Sequence, residues 1–264
     1  VGIIPLKTVT MEPAKTIRER KRQALSFLHA HGETGMQTVI SSLEMEGAMD
    51  EKAKAALAML LKKIEAREDC ADFSLAPMAI LLQRYRDKLT DREKERIHQA
   101  VLHFRYWIDE PGDDVMWYFS ENHAFLFHIS QYLWGYQYPE DIFTESGRTG
   151  AEQMKYGRQR LKEWFDIFFS YGYAEWNSAT YIPVDFIGFF TLYLCAPDQE
   201  IQTMAKKALD FSMRIVAYNT FGSVMNSTYG RVYENTIKTR LQVETNFINW
   251  ISYGTGYLTF FGNS

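Results

Sequence analysis

The chain has 264 residues, of which 46% are hydrophobic and 23% charged, which excludes wholesale disorder and allows one large domain or two small ones with a substantial core. A formal net charge of −4 argues against a general binder of nucleic acid or of anionic membranes, since either needs a basic surface. Cys70 and Cys195 lie too far apart for a disulfide framework or a zinc knuckle, so cysteine usage leaves the compartment open between secreted, periplasmic and cytoplasmic.

The start, Val1-Gly2-Ile3-Ile4-Pro5, lacks the basic opening and long apolar core of a secretory signal. Composition then changes near residue 104. All six tryptophans lie between Trp107 and Trp250, and only Tyr85, Phe27 and Phe73 among the other aromatics precede residue 100. Residues 1–104 therefore form a charged front and residues 105–264 an aromatic rear. In the front, Asp50 can cap a helix with Leu57, Leu60, Leu61 and Ile64 on one face. Thr90 and Glu93 have the spacing of a capping box ahead of Ile97, Val101 and Leu102. Nothing in the front demands chemistry, and its expected role is packing.

The rear alternates two kinds of helix. Thr149 and Glu152 make a second capping box, followed by Met154, Gly157, Leu161, Trp164, Phe165 and Phe168 at helical period. Asp198 opens another, with Ile201, Met204, Ala205, Ala208, Leu209, Ile215 and Val216 on one side. Between them, Ala124–Ile129 and Phe186–Leu194 are apolar almost all round, which predicts buried helices. The longest apolar stretch, Phe186 to Ala196, is too short to span a bilayer, so the chain is expected to be soluble. Strand alternation is absent. The pattern predicts an all-α fold of hairpins wrapped into an (α/α) toroid or part of one.

In such hairpins the loops near 108–121, 172–181 and 219–232 open on the same end. They bring Trp117 and Glu121, then Glu175, Trp176, Asn177 and Tyr181, then Tyr229 and Arg231 to one rim. Aromatic faces beside amides, carboxylates and a guanidinium suit a sugar, whose C–H faces stack on rings and whose hydroxyls or uronic carboxylate take hydrogen bonds. Each ring could instead cap the core and each amide a helix.

Ser120-Glu121-Asn122-His123 at the start of a buried helix, with Glu175-Trp176-Asn177-Ser178 and Tyr181, resembles the α/α-toroid polysaccharide lyases of the alginate-lyase and heparinase-like groups and the related six-hairpin glycosidases. The resemblance covers roughly residues 105–253. It implies β-elimination on a uronate-containing glycan, without metal or cofactor. Asn122 and Arg231 would hold the carboxylate, His123 or an ionised tyrosine would take the C5 proton, and Tyr229 or Tyr181 would protonate the leaving oxygen. Trp117, Glu121, Trp176 and Asn177 would bind the chain. A glycoside hydrolase would instead use Glu175 with Glu121 or Asp114 as its two carboxyl groups, about 5–9.5 Å apart. A noncatalytic carbohydrate-binding or assembly module would keep the rings and need no base.

His128, five residues after His123, does not share its face and reads as a core histidine. Gly147-Arg148-Thr149-Gly150 lacks the Gly-Lys-Ser/Thr ending of a phosphate loop and is expected at the hairpin end opposite the rim. Lys155, Arg158, Arg160 and Lys162 read as a solvated face. The apolar tail from Tyr253 to Ser264 predicts either that the chain continues or that this end tucks into the core or a partner.

Overall fold

The computed structural model describes residues 7–9, 11–238 and 240–260. From the amino end, β1 (Lys7–Val9) precedes α1 (Ile17–His31), α2 (Met36–Glu46), α3 (Glu51–Glu65), α4 (Asp72–Arg84) and α5 (Asp91–Leu102). Next come α6 (Glu121–Gln137), the short strands β2 (Ile142–Phe143) and β3 (Arg148–Thr149), and α7 (Gly150–Tyr171). The remainder holds α8 (Tyr181–Cys195), α9 (Gln199–Tyr218), β4 (Thr220–Phe221), β5 (Val224–Met225), α10 (Glu234–Lys238), α11 (Asn246–Tyr253) and β6 (Leu258–Phe260). The class is all-α. The strands pair only as three two-stranded antiparallel ribbons among the described residues. No described helix is long and apolar enough to cross a membrane.

Local chemistry sets the helix starts. Asp50 Oδ1 accepts from the Ala53 N–H at 2.7 Å and opens α3, whose Leu57, Leu60, Leu61 and Ile64 are buried as the pattern requires. Reciprocal capping boxes begin α5 at Thr90–Glu93 and α7 at Thr149–Glu152, and a third, Thr16–Glu19, begins α1. Asp198 Oδ1 takes the Ile201 N–H at the head of α9.

The chain folds into two compact units that do not follow the compositional boundary at 104. The first comprises the described parts of Val1–Leu57, Glu175–Pro183 and Asp210–Ser264; the second comprises Ala58–Ala174 and Val184–Leu209. Three of the four unit boundaries fall inside α3, α8 and α9, and the fourth, between Ala174 and Glu175, in the loop after α7.

In the first unit α1 packs on α2 and α11. Ala24, Phe27, Trp250 and Leu258 form one buried apolar cluster there. Arg20 is only 9% exposed, and its guanidinium donates to the carbonyls of Ile251 and Ser252 at the end of α11, which would otherwise be left unpaired. Strand β6 pairs with β1, so the apolar tail is engaged as far as Phe260. Phe261–Ser264, like Val1–Pro5, lie outside the described residues.

In the second unit α6 packs on α4 and α7. Phe125, Phe127, Ile129, Leu133 and Trp134 are at most 1% exposed, as expected for a helix apolar on all sides. Backbones of α6 and α7 touch because glycines stand at the contact. A Cβ on Gly157 would lie 2.5 Å from the Tyr132 nitrogen, and one on Gly135 would lie 2.4 Å from the Met154 nitrogen.

Three expectations are corrected. The stretch Phe186–Leu194 buries only one side of α8, leaving Ile187, Phe190, Tyr193 and Leu194 exposed; hydrophobicity without a polar face did not require full burial. The 147–150 turn is not remote from the 108–121 loop, because Arg148 Nη2 binds Asp109 at 2.9 Å. The basic face of α7 is not merely solvated. Arg160 pairs with Asp109, while Arg158 and Lys162 clamp Glu200 at the head of α9, with Arg158 also bonding Asp198.

Candidate functional site

The expected rim residues divide between the units. Trp117, Glu121, Asn122 and His123 belong to the second; Glu175, Trp176, Asn177, Tyr181, Tyr229 and Arg231 belong to the first.

In the second unit Ser120 caps α6, its Oγ accepting the His123 N–H at 3.4 Å. This start is buried: Asn122 is 0% exposed and His123 7%. His123 Nδ1 faces both oxygens of Asp72, at 2.9 and 3.1 Å, and Phe73 stacks on the ring at 4.7 Å. Burial opposes the imidazolium, but hydrogen bonds and charge from Asp72 and Cys70 prevail and push the His123 pKa up to about 9. Burial raises the Asp72 carboxyl, with the His123 hydrogen bond and charge pulling the other way.

Asp69, Cys70 and Asp72 come from the charged front, where the sequence showed no chemistry. The available signal was Asp69-Cys70-Ala71-Asp72-Phe73, two acids and a thiol packed ahead of an apolar helix. The donor atoms of Asp69, Cys70 and His123 lie within 4.8 Å of one another, near enough for one cation to reach all three. Asp69 Oδ1, however, already accepts the N–H groups of Cys70 at 3.1 Å and Trp117 at 3.3 Å. Trp117 and Phe119 stand exposed beside this turn.

The other second-unit candidates have structural partners. Glu121 Oε1 accepts the Ala174 N–H at 3.1 Å. Asp114 is held by Arg105, by the Tyr118 hydroxyl and by the Met116 N–H. His128 is buried against Trp107, and burial drives its pKa down to about 3, so it is a neutral core group. The groove on α7 and α9 lined by Asp166, Phe169, Met204 and Lys207 contains none of the expected residues.

In the first unit the 175–181 and 219–232 segments meet. The Gly230 N–H reaches the Trp176 carbonyl at 2.8 Å, and Asn177 Nδ2 reaches Ser227 Oγ at 3.1 Å. Ser178 Oγ bonds the Arg231 carbonyl at 2.7 Å. A Cβ at Gly230 would collide with Trp176, so glycine lets the two loops close. Asn177, at φ +53, takes a conformation that asparagine tolerates better than most residues.

These contacts assemble a cationic–phenolic cluster. Arg231 Nη1 pairs with Glu175 at 3.1 Å, its Nη2 donates to the Tyr233 hydroxyl at 3.1 Å, and its guanidinium lies 4.5 Å from the Tyr181 ring centre. The hydroxyls of Tyr181 and Tyr233 are 2.5 Å apart. Burial first, then the Tyr233 hydrogen bond, raises the Tyr181 pKa well above that of a free phenol, so it keeps its proton at neutral pH. Tyr229 is not part of this group, since its hydroxyl donates to the Met225 carbonyl at 2.9 Å. Tyr233 stands in its place and was missed because it lies beyond the loop that the sequence delimited. Trp176 is 55% exposed.

No family model, curated protein or solved structure matches the chain.

Proposed function

We propose that this chain acts on a uronate-containing glycan and cleaves it by β-elimination. The observation that carries the reading is the Arg231–Tyr181–Tyr233 cluster, which gathers within one unit the three groups that the reaction needs. A cation beside the carboxylate makes the C5 proton more acidic, and Arg231 supplies it, with Glu175 fixing the guanidinium. Tyr233, reacting as its phenolate, takes the C5 proton as the C4–O bond breaks and the C4–C5 double bond forms, and its hydrogen bond to Tyr181 passes that proton back after turnover. Tyr181, which holds its proton, delivers it to the departing oxygen. Exposed Trp176 offers a face for a sugar ring. The (α/α) toroid that the Asn122-His123 and Glu175–Ser178 resemblance implies belongs to the same proposal.

His123 does not serve as the base in this scheme, because below about pH 9 it carries its proton. Hydrolysis is less well supported: Glu175 is committed to Arg231 and Asp114 to Arg105 and Tyr118.

The test incubates the protein with a panel of uronate polymers and follows the ultraviolet absorbance of unsaturated product ends. Tyr233→Phe should lower that rate by about 10²-fold or more, while Tyr229→Phe leaves it near wild type. Reducing ends without the absorbance would replace the lyase by a hydrolase. Binding without either product would leave a carbohydrate-binding module.

A further inference from the structure

Cys70, His123 and Asp72 form a thiol–imidazole–carboxylate line that the elimination scheme leaves unused. Asp72 is 0% exposed and engages Nδ1 of His123, which directs the other ring nitrogen away from the carboxylate. The Cys70 sulfur lies within 4.8 Å of a nitrogen of the same ring. Asp72 is 51 residues from His123 in sequence, so neither chain neighbourhood nor helix periodicity forces the contact.

Three features of Cys70 point the same way. Its φ is +61°, a left-handed conformation that is strained for a non-glycine residue and that tends to persist where a side chain must be presented. It sits two residues ahead of the thirteen-residue α4, whose N-terminal N–H groups and dipole favour negative charge nearby. It is partly exposed and therefore reachable, whereas Cys195 is buried and burial pushes its pKa up to about 12. Trp117 and Phe119, with ring centres 5.7 Å apart, add an exposed apolar flank beside Asp69.

We propose that Cys70 is a nucleophilic cysteine with His123 as its proton partner and Asp72 as the positioning residue, and that it attacks the carbonyl of an ester or thioester bearing an apolar acyl group. In the first half-reaction the sulfur–carbon bond forms and the bond to the leaving alcohol or thiol breaks. The proton that left Cys70 passes from the ring of His123 to that leaving group. Water then adds to the acyl-sulfur carbonyl, giving a proton back to the ring; the carbon–sulfur bond breaks, and the free acid departs. The sum is acyl ester plus water to acid plus alcohol, with no external oxidant or reductant. A cation on Asp69, Cys70 and His123 would use the same thiol, but Asp69 already serves two backbone N–H groups.

The experiment treats the full chain with p-nitrophenyl butyrate, reads the release of nitrophenolate and locates the adduct by peptide mass. The expected result is a burst of one equivalent and a butyryl group on Cys70. Cys70→Ser should abolish the burst while leaving the circular dichroism unchanged. His123→Gln should slow acylation by about 10²-fold. Asp72→Asn should slow it too and move its pH profile, which a merely structural role would not do. The proposal is overturned if Cys70 is acylated no faster than in the urea-unfolded chain. It is equally overturned if the adduct falls elsewhere, or if Cys70 takes up stoichiometric zinc and no acyl group. No glycan enters the assay, so its failure is separate from failure of the elimination reading.

Discussion

Replacing Asp72 with Asn keeps the shape of the buried side chain and removes the charge opposite His123. Burial alone would lower this imidazole, yet Asp72 and Cys70 raise it from the unperturbed 6.5 to about 9. At about 1.36 kcal/mol for each tenfold change in proton affinity, the rise is worth about 3 kcal/mol of folding free energy. The folded pKa lies above the unfolded one, so this contribution is fully present below about pH 6.5 and is lost as pH climbs through about 9. The wild type should therefore lose about 3 kcal/mol from this group between about pH 6 and about pH 10, and Asp72→Asn should lose much less. Urea denaturation across that range reads the slope. Nitrogen-15 NMR of the six histidines reads the site directly, with His123 expected to titrate near 9 in the wild type and far lower in the variant. A wild-type His123 titrating near 6.5, or a pH slope unchanged by the substitution, would refute the ion-pair argument.

Three further outcomes are expected. Gly157→Ala would place a Cβ 2.5 Å from the Tyr132 nitrogen, and backbone cannot swing aside. Overpacking of about 1–3 kcal/mol should outweigh a gain of about 1 kcal/mol in helix propensity, so a urea midpoint at or above wild type would contradict the close α6–α7 contact. Thr149→Ala removes the capping box of α7 and should cost about 1 kcal/mol in the same measurement, with no change counting against the cap. Under the proposed elimination on a uronate glycan, Trp176→Ala should weaken binding of uronate oligosaccharides by about 1 kcal/mol in calorimetric titration, and an unchanged affinity would remove Trp176 from that proposal.

Within the first unit Glu175, Tyr181 and Arg231, which the sequence places on two separate loops, lie in contact because those loops meet. It could not separate Tyr229 from Tyr233. Both are tyrosines flanking Arg231, and only the Met225 carbonyl, which takes up the Tyr229 hydroxyl, tells them apart. His123 was visible as the residue after Ser120-Glu121-Asn122, but its proton affinity was not, because its partners lie in the front half of the chain.

What the sequence determined by itself is the all-helical class and the starts of α3, α5, α6, α7 and α9. Capping boxes at Thr90–Glu93 and Thr149–Glu152 join residues three apart, and an interaction that local is written in the order of the residues. The burial of Leu57, Leu61 and Ile64 follows from the same short-range periodicity. Only the tertiary structure decided that the front and rear interleave into two units, that α8 keeps an apolar side in solvent, and that Asp72 meets His123. Each of those depends on which distant surfaces come together, and local periodicity carries no record of a partner many residues away.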